Sequence, residues 1–284
     1  MITQNTAEWQ QFRKNKIGAS DAPIIMGVSP WCTPFQLWQR KLGLIDEQKQ
    51  NKSMTRGHDL EEKARHKFYI DTGILVNSTL VINRDLPWMI ASLDGMDSIG
   101  RNIVEIKCPG KEDHEMAKSG KIPDKYIPQI QHQLKCCDLN EGYYYSFDGK
   151  EGVVIKTYLD REYVNTLVEK EMEFYSCLIN LNPPELSERD YINHIDNLDW
   201  KVHADNYKNH MVKANKYLDL ANEAKNKLIE ISCDHNSKGH GISVQKIYRK
   251  GNIDYQQIPE ISNIDLEKYR KKSSFHWKIN INNC

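Results

Sequence analysis

The run "RNIVEIKCPG", residues 101–110, constrains this chain more than any other segment. Ile103, Val104 and Ile106 are strand formers, and Pro109-Gly110 ends the run. A short apolar strand of this kind belongs inside a sheet. Yet Glu105 and Lys107 are alternate residues, so both side chains point to one face. A solvated face with a paired Glu and Lys accounts for them, and so does a functional cleft. The neighbouring segments bear on the choice. Upstream, a strand-like run over 88–94 ends in "SLDG", where Asp94-Gly95 is a turn signal. If the two runs are antiparallel neighbours, Asp94 and Glu105 meet at one end of the sheet. Two carboxylates and an ammonium then share a cleft. Mg²⁺ suits such a place, since it takes carboxylate, water and phosphate oxygens. Lys107 cannot ligate a cation. It can orient a water, lower its pKa, or balance charge on a pentavalent phosphate.

The rest of the pattern frames that cleft. Helices are predicted over 6–15, 33–43, 57–72, 126–138, 160–179 and 199–231, and further strands over 75–83, 142–148 and 152–158. Thr33, Pro34 and Gly43 are start and stop signals for the second helix. On the third, Leu60, Ala64 and Phe68 form an apolar stripe, and Glu61 sits at its edge, able to reach inward, whereas Glu62 points away. This is a mixed α/β core with helices flanking a central mixed sheet. "NLNPPELSERD" (180–190) marks a boundary, giving a core domain 1–185 and an extension 186–284 with a long helix, a β-hairpin turning at Lys250-Gly251-Asn252, and a basic tail.

Composition excludes several classes. The chain of 284 residues is 39% hydrophobic and 27% charged, so it can bury a core. No apolar run approaches the roughly 20 residues of a membrane span, and the N-terminus has no signal-peptide stretch. A soluble cytoplasmic protein of a bacterial or infected cell is expected. The 7 cysteines include no C-x-x-C pair, which argues for free thiols and against an iron–sulfur cluster. Cys233, His235 and His240 lack a fourth metal ligand at sensible spacing. Net charge is zero, but residues 206–284 hold 14 Lys and Arg against 8 Asp and Glu, a surplus of +6. An acidic body with a basic tail suits a protein that holds cations at one place and touches phosphate or a neighbouring subunit at another.

Five blocks in order, "RKNKIGASD", "GHDLEEKARHKF", "SLDG", "EIKCP" and "YIPQIQHQL", resemble the PD-(D/E)XK nucleases, and within them the viral recombinase (YqaJ) and lambda exonuclease group. The resemblance covers about residues 10–180 and implies a restriction-endonuclease-like core. It implies Asp94 and Glu105 as metal carboxylates, the Ile106 carbonyl as a backbone ligand, Lys107 as the catalytic lysine, Glu61 as a helix glutamate near the metals, and Gln129 as a glutamine touching the site. Arg13 and Ser20 match a pair that binds a 5′-terminal phosphate. Lys111 stands near the family's downstream cation at a different spacing, and Leu93 replaces the proline before the first acid. The implied activity is a Mg²⁺-dependent 5′-to-3′ exonuclease on double-stranded DNA ends, with Mn²⁺ able to substitute. It leaves 3′ overhangs for a single-strand annealing protein and works as a homo-oligomer, with a trimeric ring favoured. An endonuclease or nicking enzyme on the same fold, and a non-catalytic DNA-binding protein, are the alternatives.

Overall fold

A computed structural model gives the structure; residues 12–46, 52–249, 251 and 264 are described, and of residues 52–59 only the backbone. Contacts divide the chain into two units, Met1–Ile192 and Asn193–Cys284.

The first unit is built on a 6-stranded mixed sheet. Its strands are β1 (Ile17–Gly18), β2 (Asn77–Ile82), β3 (Met89–Met96), β4 (Ile103–Lys107), β5 (Glu141–Phe147) and β6 (Gly152–Tyr158). Its helices are α1 (Ala22–Ile25), α2 (Pro34–Lys41), α3 (Lys52–Thr72), α4 (Lys111–Lys118), α5 (Ile127–Cys136) and α6 (Arg161–Ile179). The sheet runs β1-β3-β4-β5-β6, and β2 also pairs with β3. Strand alternation sorts the side chains into two cores. Ile103 and Tyr144 join Ala91, Leu93, Ile130 and Leu134 on the α5 face. Val104, Ile106 and Tyr145 join Ala64 and Phe68 on the α3 face.

Pairing along β3 is unequal. Ile90 pairs with Ile82 of β2 and with Gly18 of β1, whereas Met96 pairs with Asn77 of β2 and Ile103 of β4. A strand has two edges, so β2 follows one while β1 and β4 divide the other. The edge of β3 between Ile90 and Gly95 is left without a strand partner on that side. Beside β1, the chain enters a tight turn, Ala19–Asp21.

The predicted elements of this unit recur with shifted ends, and α4, which the sequence pattern does not announce, follows Gly110 as its N-cap. The N-terminal helix expected from residue 6 lies largely outside the described residues. Where a break is expected at 185/186, residues 187–190 fold back. Arg189 donates to the Ser29 and Pro30 carbonyls at 2.9 and 2.8 Å, and Asp190 accepts from Thr33 Oγ1.

The second unit begins with α7 (Leu198–Ile231), a helix capped by Asn197 and without a buried residue. Trp200, Ala204, Tyr207, Met211, Ala214, Leu218, Ala221 and Leu228 follow a coiled-coil spacing, interrupted by Lys225. A hairpin follows, β7 (Ser237–Gly239) and β8 (Ile242–Val244); the sequence pattern puts a loop over 232–241, where β7 lies, and a strand from Ile242, where β8 lies. Its turn is His240-Gly241, both at positive φ, the conformation of a type I′ turn. The hairpin turn expected at 250–252 and the basic tail lie outside the described residues apart from Gly251. No described helix is long and apolar enough to cross a membrane, and the described cysteines are free.

One buried pair locks α5 to its surroundings. His132 places Nδ1 at 2.6 Å from Glu171 on α6 and Nε2 at 2.9 Å from the Ile90 carbonyl on β3. Both side chains are fully buried. A carbonyl can only accept, so Nε2 donates, and a donor at Nδ1 as well makes the ring an imidazolium. Burial works against that charge, but Glu171 overcomes it and raises the histidine above its ordinary value of 6.5. A raised value means that the pair's contribution is complete below pH 6.5 and is lost as pH rises through the folded value. The stability advantage of wild type over Glu171→Gln should therefore shrink from neutral into alkaline pH in thermal melts. Glu171→Ala at neutral pH should cost about 3–5 kcal/mol, since it strands a buried cation. An advantage independent of pH would reject the imidazolium.

Candidate active site

Glu105 is the centre of the site. It lies on β4 and is 1% exposed. A buried carboxylate must be met by donors. Lys107 Nζ and Gln129 Nε2 both reach Oε1 at 2.5 Å. Gln133 Nε2 donates to Oε2. Gln129 and Gln133 are four apart on α5, hence on one face. Gln133 was missed by the sequence reading. The i, i+4 repeat of glutamine in "QIQHQ" was the available signal.

Asp94 reaches the same place through an irregularity. Thr79 pairs with Leu93 but Asn77 pairs with Met96, so β3 runs one residue longer than β2 over that stretch. This is a β-bulge, which breaks alternation and re-aims a side chain. Leu93 stays in the core while Asp94 turns toward Glu105. Pairing of β3 with β4 is confined to Gly95↔Val104 and Met96↔Ile103. Beyond Gly95 the strands are unpaired, and the Ile106 N–H donates to Asp94 Oδ2 at 2.8 Å instead. Burial, and next the charge of Glu105, push the Asp94 carboxyl well above the ordinary range, offset only in part by Lys107 and the Ile106 N–H. Burial also disfavours the Lys107 ammonium, yet Glu105 and Asp94 together hold it protonated above its usual range.

Glu61 stands apart from this pair. Arg65 holds it at 2.6 Å, and the same guanidinium donates to the Asp94 carbonyl at 2.8 Å. Arg65, one helical turn beyond Glu61, is a second residue the sequence reading did not single out. Among the described residues no group of three or more His, Cys, Asp and Glu is gathered for a metal, which applies to Cys233, His235 and His240 as well. The chemistry of the donor set still fits a divalent cation. Two carboxylates converge with one lysine between them, and Asp94 is left with an excess of negative charge around it. Asp94, Glu105 and the Ile106 carbonyl would hold the ion, with Glu61 at the margin. Lys111 is exposed at the first residue of α4.

A second charged cluster lies where β1 ends. Arg13 Nη2 donates to Ser20 Oγ at 2.5 Å and lies 3.3 Å from Asp21 Oδ1. Lys41 Nζ lies 2.8 Å from Asp21 Oδ2, and the Gly18 N–H donates to that oxygen at 2.8 Å. Although burial opposes its charge, Lys41 and then Arg13 hold the Asp21 carboxyl down at about 2. Two cations therefore meet one anion, leaving positive charge beside an exposed serine hydroxyl.

Known proteins resemble this chain in sequence and fold. Residues 8–140 match the YqaJ-like viral recombinase domain. That stretch of the chain is similar to a YqaJ-like domain. The YqaJ protein of Bacillus subtilis (strain 168) is 30% identical over 175 residues, 60% of this chain; the chain spans 55% of that relative. Among solved structures, the alkaline exonuclease of Laribacter hongkongensis is 26% identical with a TM-score of 0.53, over 62% of this chain and 94% of that one. A second structure of it, in complex with dAMP, gives a TM-score of 0.54 at the same identity and coverage. The first unit thus shares a restriction-endonuclease-like fold with that exonuclease.

The bulge in this domain rests on Gly95. A Cβ there would lie 2.5 Å from Val76 Cγ2 and 2.7 Å from Val104 Cγ1. Gly95→Ala should therefore destabilise the protein by about 1–3 kcal/mol through overpacking. Chemical denaturation checks this. Undiminished stability would show that the bulge yields freely and does not fix Asp94.

Proposed function

We propose that the chain is a Mg²⁺-dependent exonuclease, with Mn²⁺ able to substitute, that degrades the 5′ strand at duplex DNA ends. The observation that carries this reading is the pairing of two sites along one broken edge of β3. Asp94 and Glu105 stand where β4 joins that edge. Arg13, Ser20 and Asp21 stand where β1 leaves it. From Ile90, which pairs with Gly18 just before the turn, to Asp94 the strand advances four residues, roughly 13 Å, or about four base steps of about 3.4 Å. A terminal phosphate at the second cluster would place a nearby phosphodiester over the first.

Each residue then has a role. Arg13 and Ser20 bind the 5′-phosphate, whose charge near −2 exceeds that of an internal diester. Asp21, itself held by Lys41, aims the guanidinium. Asp94, Glu105 and the Ile106 carbonyl hold the cation, which supplies Lewis acidity to the scissile phosphate and lowers the pKa of a water. Gln129 and Gln133 fix Glu105. Lys107, kept protonated by its carboxylate neighbours, orients the attacking water or balances charge on the phosphate. Glu61, positioned by Arg65, and Lys111 contact water or DNA at the margin. Deoxynucleoside monophosphate is the product expected of such an arrangement, and a similar structure was solved with dAMP. The 3′ overhang left behind suits a single-strand annealing protein. A ring-shaped homo-oligomer, with three copies favoured, would encircle the duplex, and residues 206–284 would add duplex affinity or an assembly surface.

Linear duplexes with 5′-phosphate or 5′-hydroxyl ends, and closed circles, each with and without Mg²⁺, test the reading. Cleavage should require the metal, favour the 5′-phosphate and spare closed circles. Asp94→Asn, Glu105→Gln and Lys107→Ala should each remove most activity, while Lys107→Ala still binds metal in calorimetry. Arg13→Ala should bring the phosphorylated end toward the hydroxyl end, a loss of about 1–3 kcal/mol. Rapid cutting of closed circles with no preference between ends would reject the exonuclease and favour an endonuclease.

A further inference from the structure

The geometry points to Trp31 as a stacking platform for a nucleobase of the DNA strand that occupies the Asp94–Glu105 cleft, an inference that rests on the nuclease reading above. Trp31 lies in the connection between α1 and α2 and is 56% exposed. The connection that displays it is held firmly. Its own N–H donates to Ser29 Oγ at 3.3 Å, and Arg189 grips the carbonyls of Ser29 and Pro30 just before it. Cys32, just after it, is buried, and Thr33 caps α2. A large ring fixed in solvent adds little to folding, and it reads as a surface prepared for a ligand.

The ligand is indicated by what the ring adjoins. Lys125 Nζ lies over Trp31, 5.4 Å from the ring centroid, and 5.2 Å from that of Tyr126. Lys107 Nζ lies 5.4 Å from the same tyrosine ring. Asp113 ties the two together, accepting from Lys125 at 2.7 Å and from Tyr126 Oη at 3.2 Å. Cations and rings thus alternate from Glu105 through Lys107, Tyr126 and Lys125 to Trp31. That ladder sets Trp31 within a few base steps of about 3.4 Å from the scissile position. Its combination of cations with a rigid aromatic is the chemistry that follows a nucleic-acid strand, with phosphates on the lysines and a base on the ring. Every base has a π-face, so such a contact tolerates any sequence, as an enzyme that digests along a strand requires.

The experiment compares Trp31→Phe, which keeps a stacking face, with Trp31→Leu, which keeps apolar bulk without one. Binding is read in a Lys107→Ala background with 5′-phosphorylated duplexes. These are either intact or carry one abasic nucleotide at successive positions from the 5′ end. Trp31→Phe should hold close to the parent affinity, and Trp31→Leu should lose about 5- to 100-fold on intact DNA. At one abasic position that loss should vanish, because no base is left to stack. Equal affinity of the two variants, or a Leu penalty unchanged at every abasic position, would overturn the inference. So would a change in oligomer size with DNA binding intact, which would make Trp31 a protein contact. A parent protein that neither binds duplex ends nor, with Lys107 restored, cleaves them would reject the nuclease reading itself, and this inference with it.

Discussion

The buried carboxylate of Glu105 is the interaction on which the arrangement depends. Left unpaired in the sheet it would cost several kcal/mol. Its partners therefore dictate where other elements lie. Gln129 and Gln133 bring α5 against β4. The same helix carries His132, whose bonds to Glu171 and the Ile90 carbonyl fix α5 to α6 and to β3. Between these polar contacts Ile130 and Leu134 enter the core. Site and core are thus one construction.

Asp94 shows a different economy of means. In a regular strand it would alternate with Leu93 and face away from Glu105. One extra residue on β3 turns it inward, and the loss of β3–β4 pairing beyond Gly95 opens the space between the acids. The Ile106 N–H, freed from the ladder, then satisfies Asp94. Strand pairing is given up where charge is needed.

The sequence makes the mixed sheet legible because alternation, turn signals and caps are local. Val104 and Glu105 must face opposite sides whatever surrounds them. The acid–lysine constellation is legible for the same reason. What escapes is set by distance along the chain. The partnership of Arg65 with the Asp94 carbonyl spans 29 residues and uses a backbone atom, which no side-chain pattern announces. Gln133 is visible as a helical repeat of Gln129 but acquires a role only once α5 is known to cross β4. Arg189 holds the connection before Trp31 from 160 residues away, a contact that no local pattern announces. The hairpin at His240-Gly241 was hidden by a different cause. It is short and polar, and its turn depends on positive φ at a histidine, a residue less favoured there than asparagine.

Charge is arranged in the first unit so that the two signs are gathered at separate places. Around Asp94 and Glu105 the carboxylates outnumber the lysine, and the Asp94 carboxyl is pushed up by burial and by the charge of Glu105. Around Asp21 two cations, Arg13 and Lys41, meet one acid. These opposite imbalances adjoin the single stretch of β3 edge that neither β1 nor β4 covers. Uncovered edge is normally a hazard in a sheet, since it invites another strand. Here the tight turn Ala19–Asp21 and the polar face of α5 pack beside it. Substituting Asp21 would therefore do more than free Arg13. It would leave Lys41, itself nearly buried, with no carboxylate. Asp21→Asn should show this as a lower melting temperature together with a lost preference for 5′-phosphate, whereas Ser20→Ala should lower the preference with the melting temperature unchanged. An unchanged 5′-phosphate preference in both variants, with the melting temperature lowered in Asp21→Asn, would mean that the cluster serves the fold alone.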